Sequence, residues 1–222
     1  MQNRDGLWRV DLHTHTCYSD GATDITEHLQ AARRAGLQRV AVTDHNTLRG
    51  ALEAVRFEPE FVIPGEEIWT TEGELLGYFV REEVPRGLSP EETIARLRDQ
   101  GAVISVSHPF DRLRAPWRED VLLRILPLVD AIEGFNARCM SAAPNRQASA
   151  FALAQGKPVT AGSDAHSAVE MGAAGLEMAP FSDAATFRAA LANARLFGRA
   201  SSRWVHLASR YSRMRRRLGR RE

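Results

Sequence analysis

Lysine is almost missing from this chain: of 29 basic residues only Lys157 is a lysine. With so many alanines alongside, that bias reads as genomic base composition and carries no function. Cysteine is scarce too. Cys17 and Cys139 lie far apart and form no C-x-x-C pair, which excludes a disulfide framework and points to a reducing compartment. No stretch of 18 apolar residues occurs, and the opening MQNRDGLWRVDLH holds no apolar run of signal-peptide length, so the expected location is the cytoplasm. Internal repeats are absent, and the arginine-rich end is the only biased segment.

What remains is an ordinary globular composition, 222 residues with 44% hydrophobic and 26% charged, enough for one domain with a substantial core. The net charge of +1 hides an asymmetry. Residues 203–222 carry eight arginines and one glutamate, or +7, which leaves −6 on residues 1–202. We therefore divide the chain into a catalytic domain, 1–200, and a basic tail, 201–222.

Apolar runs of strand length alternate with helical patterns, the signature of a parallel α/β architecture. Strands are expected at 8–13, 39–44, 60–68, 74–80, 102–108, 130–136 and 157–164. Asp24 with Glu27, and Ser89-Pro90-Glu91-Glu92, carry the marks of helix starts, and Gly36 and Gly101 mark the ends of those helices. Further helices are expected over 47–55, 119–127, 143–155 and 183–194. Either a closed barrel or an open doubly wound sheet fits this order, and both build sites at the carboxyl ends of the strands.

Five of the seven histidines fall at those ends. His13 and His15, one residue apart, share a face of an extended strand, with Asp20 close behind. Asp44 and His45 end the second strand, Glu66 and Glu67 sit in the third, His108 ends the fifth, Glu133 lies in the sixth, and Asp164 and His166 close the seventh. His28 and His206 fall in helical segments elsewhere. Imidazole and carboxylate together suit Zn²⁺, Mn²⁺ or Fe²⁺, and this many ligands exceed what one ion can take. Two or three divalent transition-metal ions are implied. Such clusters clamp the oxygens of a phosphoryl group and make hydroxide from bound water, so hydrolysis of phosphate esters is the expected chemistry.

HTHTCYSDG, TDHN, PGEE, SHPF and GSDAH, in this order and at these strand ends, resemble the motifs of the PHP family, named for polymerase and histidinol phosphatase domains. The resemblance runs from about Val10 to about Gly175. It implies a distorted, TIM-like (β/α)7 barrel with a two- or three-metal phosphoesterase site. By the same resemblance, His13, His15, Glu67 and Asp164 hold a first ion. Glu67 bridges to a second ion bound by His108, while Asp20, His45 and His166 hold a third. Glu66 is the register alternative to Glu67. Asp44 orients its neighbours or, like His166, protonates the leaving oxygen. One departure stands out: where many members place a histidine, this chain has Glu74, which either completes the second site with a harder ligand or weakens it.

Arg112, Arg114 and Arg138 follow HPFD and EGFN at the same edge, where a guanidinium suits phosphate; Arg138 is the preferred phosphate holder, and Asn136 a further substrate contact. Cys17 reads as a small thiol beside the histidines, and Glu133 as a supporting carboxylate or part of the core edge. The tail places Trp204, Leu207, Tyr211, Met214 and Leu218 at helical spacing among arginines. That pattern suits a helix docked on the barrel, a nucleic-acid contact or a helix on an anionic membrane surface. The favoured substrate is a small phosphomonoester, a nucleotide or a sugar or amino-alcohol phosphate. Its rivals are 5′–3′ exonuclease or oligonucleotide phosphodiesterase action on a nucleic-acid end, and a non-catalytic module that keeps metals for regulation.

Overall fold

The computed structural model describes residues 6–114 and 116–200. The arginine-rich segment 201–222, with its expected helix and its nucleic-acid or membrane contact, lies outside them. Among the described residues no helix is long and apolar enough to cross a membrane.

The seven expected strands form: β1 (Trp8–Asp11), β2 (Arg39–Val42), β3 (Val62–Trp69), β4 (Glu74–Tyr78), β5 (Val103–Val106), β6 (Ala131–Asn136) and β7 (Val159–Gly162). Two more, β8 (Ala174–Met178) and β9 (Arg195–Gly198), were not expected. Six α-helices lie between them: α1 (Ile25–Arg34), α2 (Arg49–Phe57), α3 (Pro90–Asp99), α4 (Glu119–Ile125), α5 (Ala142–Ala154) and α6 (Ala184–Leu191). Asp24 caps α1 by accepting from the Glu27 N–H, and Ser89 with Glu92 forms a full capping box on α3.

The sheet runs β7-β6-β5-β4-β3-β2-β1-β8-β9. The parallel expectation needs correction at two places: β8 pairs antiparallel with β1 and β9, and, among the seven expected strands, β4 pairs antiparallel with both β3 and β5. Only 70–73 separate β3 from β4, too few for a crossover, so the chain must turn straight back. Reversal brings the start of β4, Glu74, to the edge where the parallel strands end, opposite Trp69.

On the edge away from β2, β1 and the residues that follow it serve two neighbours. Its early residues, Trp8 to Val10, pair with β8. Beyond them the Leu12 N–H donates to the Ala161 carbonyl (3.3 Å), the Asp164 N–H to the His13 carbonyl (2.7 Å) and the His15 N–H to the Ala165 carbonyl (2.9 Å). These bonds join β1 to β7 and make a nearly closed, distorted TIM-like barrel. Gly162 allows the approach, because a Cβ there would stand 2.3 Å from the Cβ of His13.

Inside the barrel an apolar plug takes a residue from each of these seven strands, among them Val10, Ala41, Ile63, Leu76, Val103, Ala131 and Ala161. Phe181 and Phe187 pack into the same cluster. Further along the same strand faces the lining turns polar, from Ala131 to Glu133 and from Ile63 to Glu67. Hydrophobic burial fills one end of the barrel and leaves the carboxyl end for chemistry.

Candidate metal centre

Glu67 is the hub. Its Oε2 lies 3.1 Å from His13 Nε2, 3.3 Å from His15 Nε2 and 3.0 Å from His45 Nδ1, and its Oε1 lies 3.1 Å from His108 Nε2. The Ser107 hydroxyl donates to that Oε1 at 2.7 Å. Glu66 faces away, accepting the Val84 N–H, and burial pushes its carboxyl up to about 8. Neighbouring residues on a strand point oppositely, so of the two glutamates Glu67 alone lines the site.

Three groups of ligand atoms close enough to share an ion surround this hub: His13, His15 and Asp164; Glu67, Glu74 and His108; and His15, Asp20, His45 and His166. Glu74 does reach the cluster, with its Oε2 2.9 Å from His108 Nε2. Asp20 lies 3.0 Å from His166 Nε2 and 3.8 Å from His45 Nε2. Cys17, half-buried, belongs to none of these groups. His108 and Asp164 both adopt positive φ, 22° and 54°, so two of the converging side chains stand on strained backbone.

The donor chemistry fits divalent metal ions. Nε2 of His13 and Nε2 of His15 face each other at 3.0 Å, and a facing pair of ring nitrogens can share only one proton. Burial pushes His13 down, but Glu67, Asp164 and Glu133 outweigh it and hold its pKa well above the ordinary value; His15 is raised to about 10, against burial, by Asp164 and Glu67. Glu67 and Asp164 are held well below the usual carboxylate range against the same burial, Glu67 by His13 and His45, Asp164 by Arg114 and His13. So much buried negative charge demands cations, whether protons or metal ions. His166 behaves differently, since burial and His15 push it down to about 4 and keep its ring neutral, as a ligand must be.

Around these atoms stands a layer of holders. Glu133, left open by sequence, lies 2.8 Å from His13 Nδ1 and accepts the His108 N–H at 2.8 Å. Asp44 accepts the Thr16 N–H (2.7 Å), the Thr16 hydroxyl (2.6 Å) and the Ser19 hydroxyl (2.5 Å), fastening the loop between His15 and Asp20. Trp69, overlooked by motif reading, donates its indole N–H to His45 Nδ1 at 3.3 Å. Its signal was its place two residues after Glu67.

The arginines divide unexpectedly. Arg138 is buried, and its guanidinium donates to Glu170 at 2.8 Å. Arg114 is the one that pairs with Asp164, and it also lies 3.5 Å from Asp111. Arg112 is exposed. The Asn136 amide donates to Asp164 (3.0 Å) and Glu133 (3.3 Å), so it braces two carboxylates of the site.

Family models match two parts of the chain, the PHP domain over residues 11–62 and a PHP-associated segment over residues 142–196. An uncharacterized protein of Methanocaldococcus jannaschii is 40% identical over 144 residues, 58% of this chain and 82% of that protein. Among solved structures, a two-domain protein of Bacteroides vulgatus containing a predicted PHP-like metal-dependent phosphoesterase superposes with a TM-score of 0.71 at 16% identity, over 88% of this chain and 66% of that one. Endonuclease Q, bound to a 27-mer duplex substrate with an abasic lesion at its active site, gives 0.63 at 16% identity, over 83% of this chain and 56% of that one. At such identities the likeness is one of fold, and this chain spans less than two thirds of either structure.

Proposed function

The chain belongs to the PHP family, and from that premise and the cluster around Glu67 we propose that it is a hydrolase of phosphate esters, with small phosphomonoesters as the favoured substrates. The observation that carries the reading is the convergence of His13, His15, Asp20, His45, Glu67, Glu74, His108, Asp164 and His166 in three sets that share neighbours. Zinc, manganese or iron ions, two or three of them, held by these residues would supply Lewis acidity toward phosphoryl oxygens and a nucleophilic water near neutral pH. The chain's own part is positioning. Glu133 keeps a proton on His13 Nδ1 and so turns its Nε2 lone pair inward; Asn136 and Arg114 hold Asp164; Ser107 holds Glu67.

Asp44 we assign to fastening the His15 to Asp20 loop, since three donors already occupy its oxygens. Phosphate binding passes from Arg138, which Glu170 engages, to Arg114, already within reach of Asp164. We keep residues 1–200 as the catalytic domain, and two free cysteines support a reducing, cytoplasmic setting. Action on a nucleic-acid end is the second reading, and the open hollow lined by Asp20 and His45 favours it.

Metal analysis of the purified protein, joined to a phosphatase and exonuclease screen with Mn²⁺, Zn²⁺ and Fe²⁺ added back, tests the proposal. Hydrolysis that vanishes in His13→Ala or Asp164→Ala with the fold intact is expected. Bound metal with no hydrolysis of any phosphoester would leave a structural or regulatory metal module instead.

A further inference from the structure

Asp164 and His166 share one loop, 163–173, yet they answer to different ligand sets: Asp164 stands with His13 and His15, and His166 with His15, Asp20 and His45. Both ends of the loop are tied to Asp11, whose carboxylate accepts the Ser163 N–H (2.9 Å) and the Gly172 N–H (3.1 Å). Asp164 has anchors of its own in Asn136, Arg114 and the His13 carbonyl, to which its N–H donates. His166 is fastened separately. Its carbonyl accepts the Ala22 N–H at 2.6 Å, and its ring Nδ1–H donates to the Asp164 carbonyl at 2.9 Å, so the Nε2 lone pair faces Asp20 across 3.0 Å. Two acceptors that close call for a cation between them.

The remaining polar group of His166, its main-chain N–H, goes to Glu170. Oε2 of Glu170 accepts that N–H (3.1 Å) together with the Ser167 hydroxyl (2.6 Å), while Oε1 accepts the Arg138 guanidinium at 2.8 Å. A local turn makes this possible, because the Glu170 N–H donates to the Ser167 carbonyl at 3.1 Å and the chain doubles back toward His166. Glu170 is 2% exposed and Arg138 6%. A carboxylate so deeply buried needs a counter-charge, and Arg138 brings one from the loop that follows β6. The Arg138 N–H donates to Asn136 Oδ1 at 2.9 Å, and Asn136 holds Asp164, so the pair joins the loops that follow β6 and β7.

We propose that Glu170, balanced by Arg138, is the positioning residue of His166: it fixes the His166 main chain before any ion arrives, and the ion of Asp20, His45 and His166 is retained only while that N–H has an acceptor. Glu170 itself belongs to none of the three ligand sets. The inference rests on the metal centre of the phosphoesterase reading and not on its reaction.

Removing one partner of a buried pair strands the charge of the other, so the test replaces both. Arg138→Met with Glu170→Gln leaves an amide oxygen to accept the His166 N–H, whereas Arg138→Met with Glu170→Met leaves none. Both double variants are neutral at the pair and similar in volume. Each is made in the full chain and titrated with Mn²⁺ against a chelating dye, with circular dichroism and urea unfolding to confirm the fold. The glutamine variant should bind as the wild type does, and the methionine variant should bind one equivalent about 10- to 100-fold less tightly, the scale of losing a partner behind a metal ligand. Equal binding by the two variants, whether both keep that equivalent or both lose it, would overturn the assignment. A second measurement needs no variant. In EDTA the wild-type His166 amide should exchange its hydrogen slowly, and exchange as fast as that of an exposed loop would overturn the assignment as well. Neither measurement involves turnover, so absence of phosphoester hydrolysis would sink the phosphoesterase reading and leave this one to be decided by metal affinity.

Discussion

The carboxylate of Glu133 stands 2.8 Å from Nδ1 of His13, on the far side of the imidazole from Glu67. A carboxylate has only lone pairs to offer, so the ring proton sits on Nδ1 and the Nε2 lone pair faces the cluster. Glutamine in place of Glu133 can present either an oxygen or an amide to that nitrogen and weakens the preference. We expect Glu133→Gln to lower metal affinity by about 10- to 100-fold with the fold retained, as removal of such a partner does in other metal sites. Competition with a chelating dye measures this, and an unchanged affinity would show that Glu133 does not hold His13 for a metal.

Glu74 offers a sharper test of how many ions bind. Its Oε2 is 2.9 Å from His108 Nε2, and its side chain is 14% exposed. If it completes the set with Glu67 and His108, Glu74→Ala should lose one metal equivalent, and Glu74→His should restore it with a shift in preference from manganese toward zinc. Elemental analysis of the three proteins after dialysis reads the count directly. The same stoichiometry in Glu74→Ala and wild type would remove Glu74 from the ligand set.

Much of this site was legible because its residues break a pattern. Histidines and carboxylates at the ends of apolar runs have no reason to be there unless something polar holds them. Seven strands and the helices between them could be read for a similar reason, since periodicity and caps are local. The reversal of β4 could not, because ELLGY reads alike in either direction and its pairing is set by partners distant in sequence. β9 escaped notice as four residues on the sheet edge, only one of them even half-buried. The partners of the arginines were not legible, for a geometric reason. Arg138 stands where a phosphate holder was expected, but side-chain direction depends on Glu170, 32 residues away, and no spacing rule encodes that contact. Glu133 lay in view as a strand carboxylate, and only the closure of the barrel put it behind His13.

Gly162 tests the closure itself. The β1 to β7 seam brings a hypothetical Cβ at 162 within 2.3 Å of His13 Cβ and 2.7 Å of His13 N, and the second of these is main chain that cannot swing aside. Gly162→Ala should therefore cost about 1–3 kcal/mol, the usual range for overpacking. It should also displace His13, so loss of metal would accompany the loss of stability. Urea unfolding with parallel metal analysis checks both, and a variant with wild-type midpoint and metal content would mean that the seam is looser than described.

His28 supplies a pH dependence separate from the metal ligands. It is buried in α1, with Nε2 2.9 Å from Thr14 Oγ1 and Nδ1 3.1 Å from Thr23 Oγ1. Because the Thr14 hydroxyl already donates to the Ala41 carbonyl at 2.6 Å, it can only accept from the ring. The proton is therefore on Nε2, and Thr23 donates to Nδ1. A second proton would lose that bond and bury a charge, so burial, aided by His15, pushes His28 from 6.5 down to about 3. As the folded pKa is the lower, the unfolded chain binds the extra proton first. The contribution of neutral His28 is thus fully present above pH 6.5 and is lost as pH falls toward 3, with a slope of up to about 1.4 kcal/mol per pH unit. His28→Gln, which cannot titrate, should be less stable than wild type at pH 7.5 by about 1–2 kcal/mol through poorer hydrogen bonding. Its stability should then fall less steeply with acid, so the two curves converge between pH 6.5 and 4.5. Chemical denaturation in EDTA at several pH values removes the metal ligands' share of the comparison, and parallel curves would show that His28 takes up its proton in the folded protein.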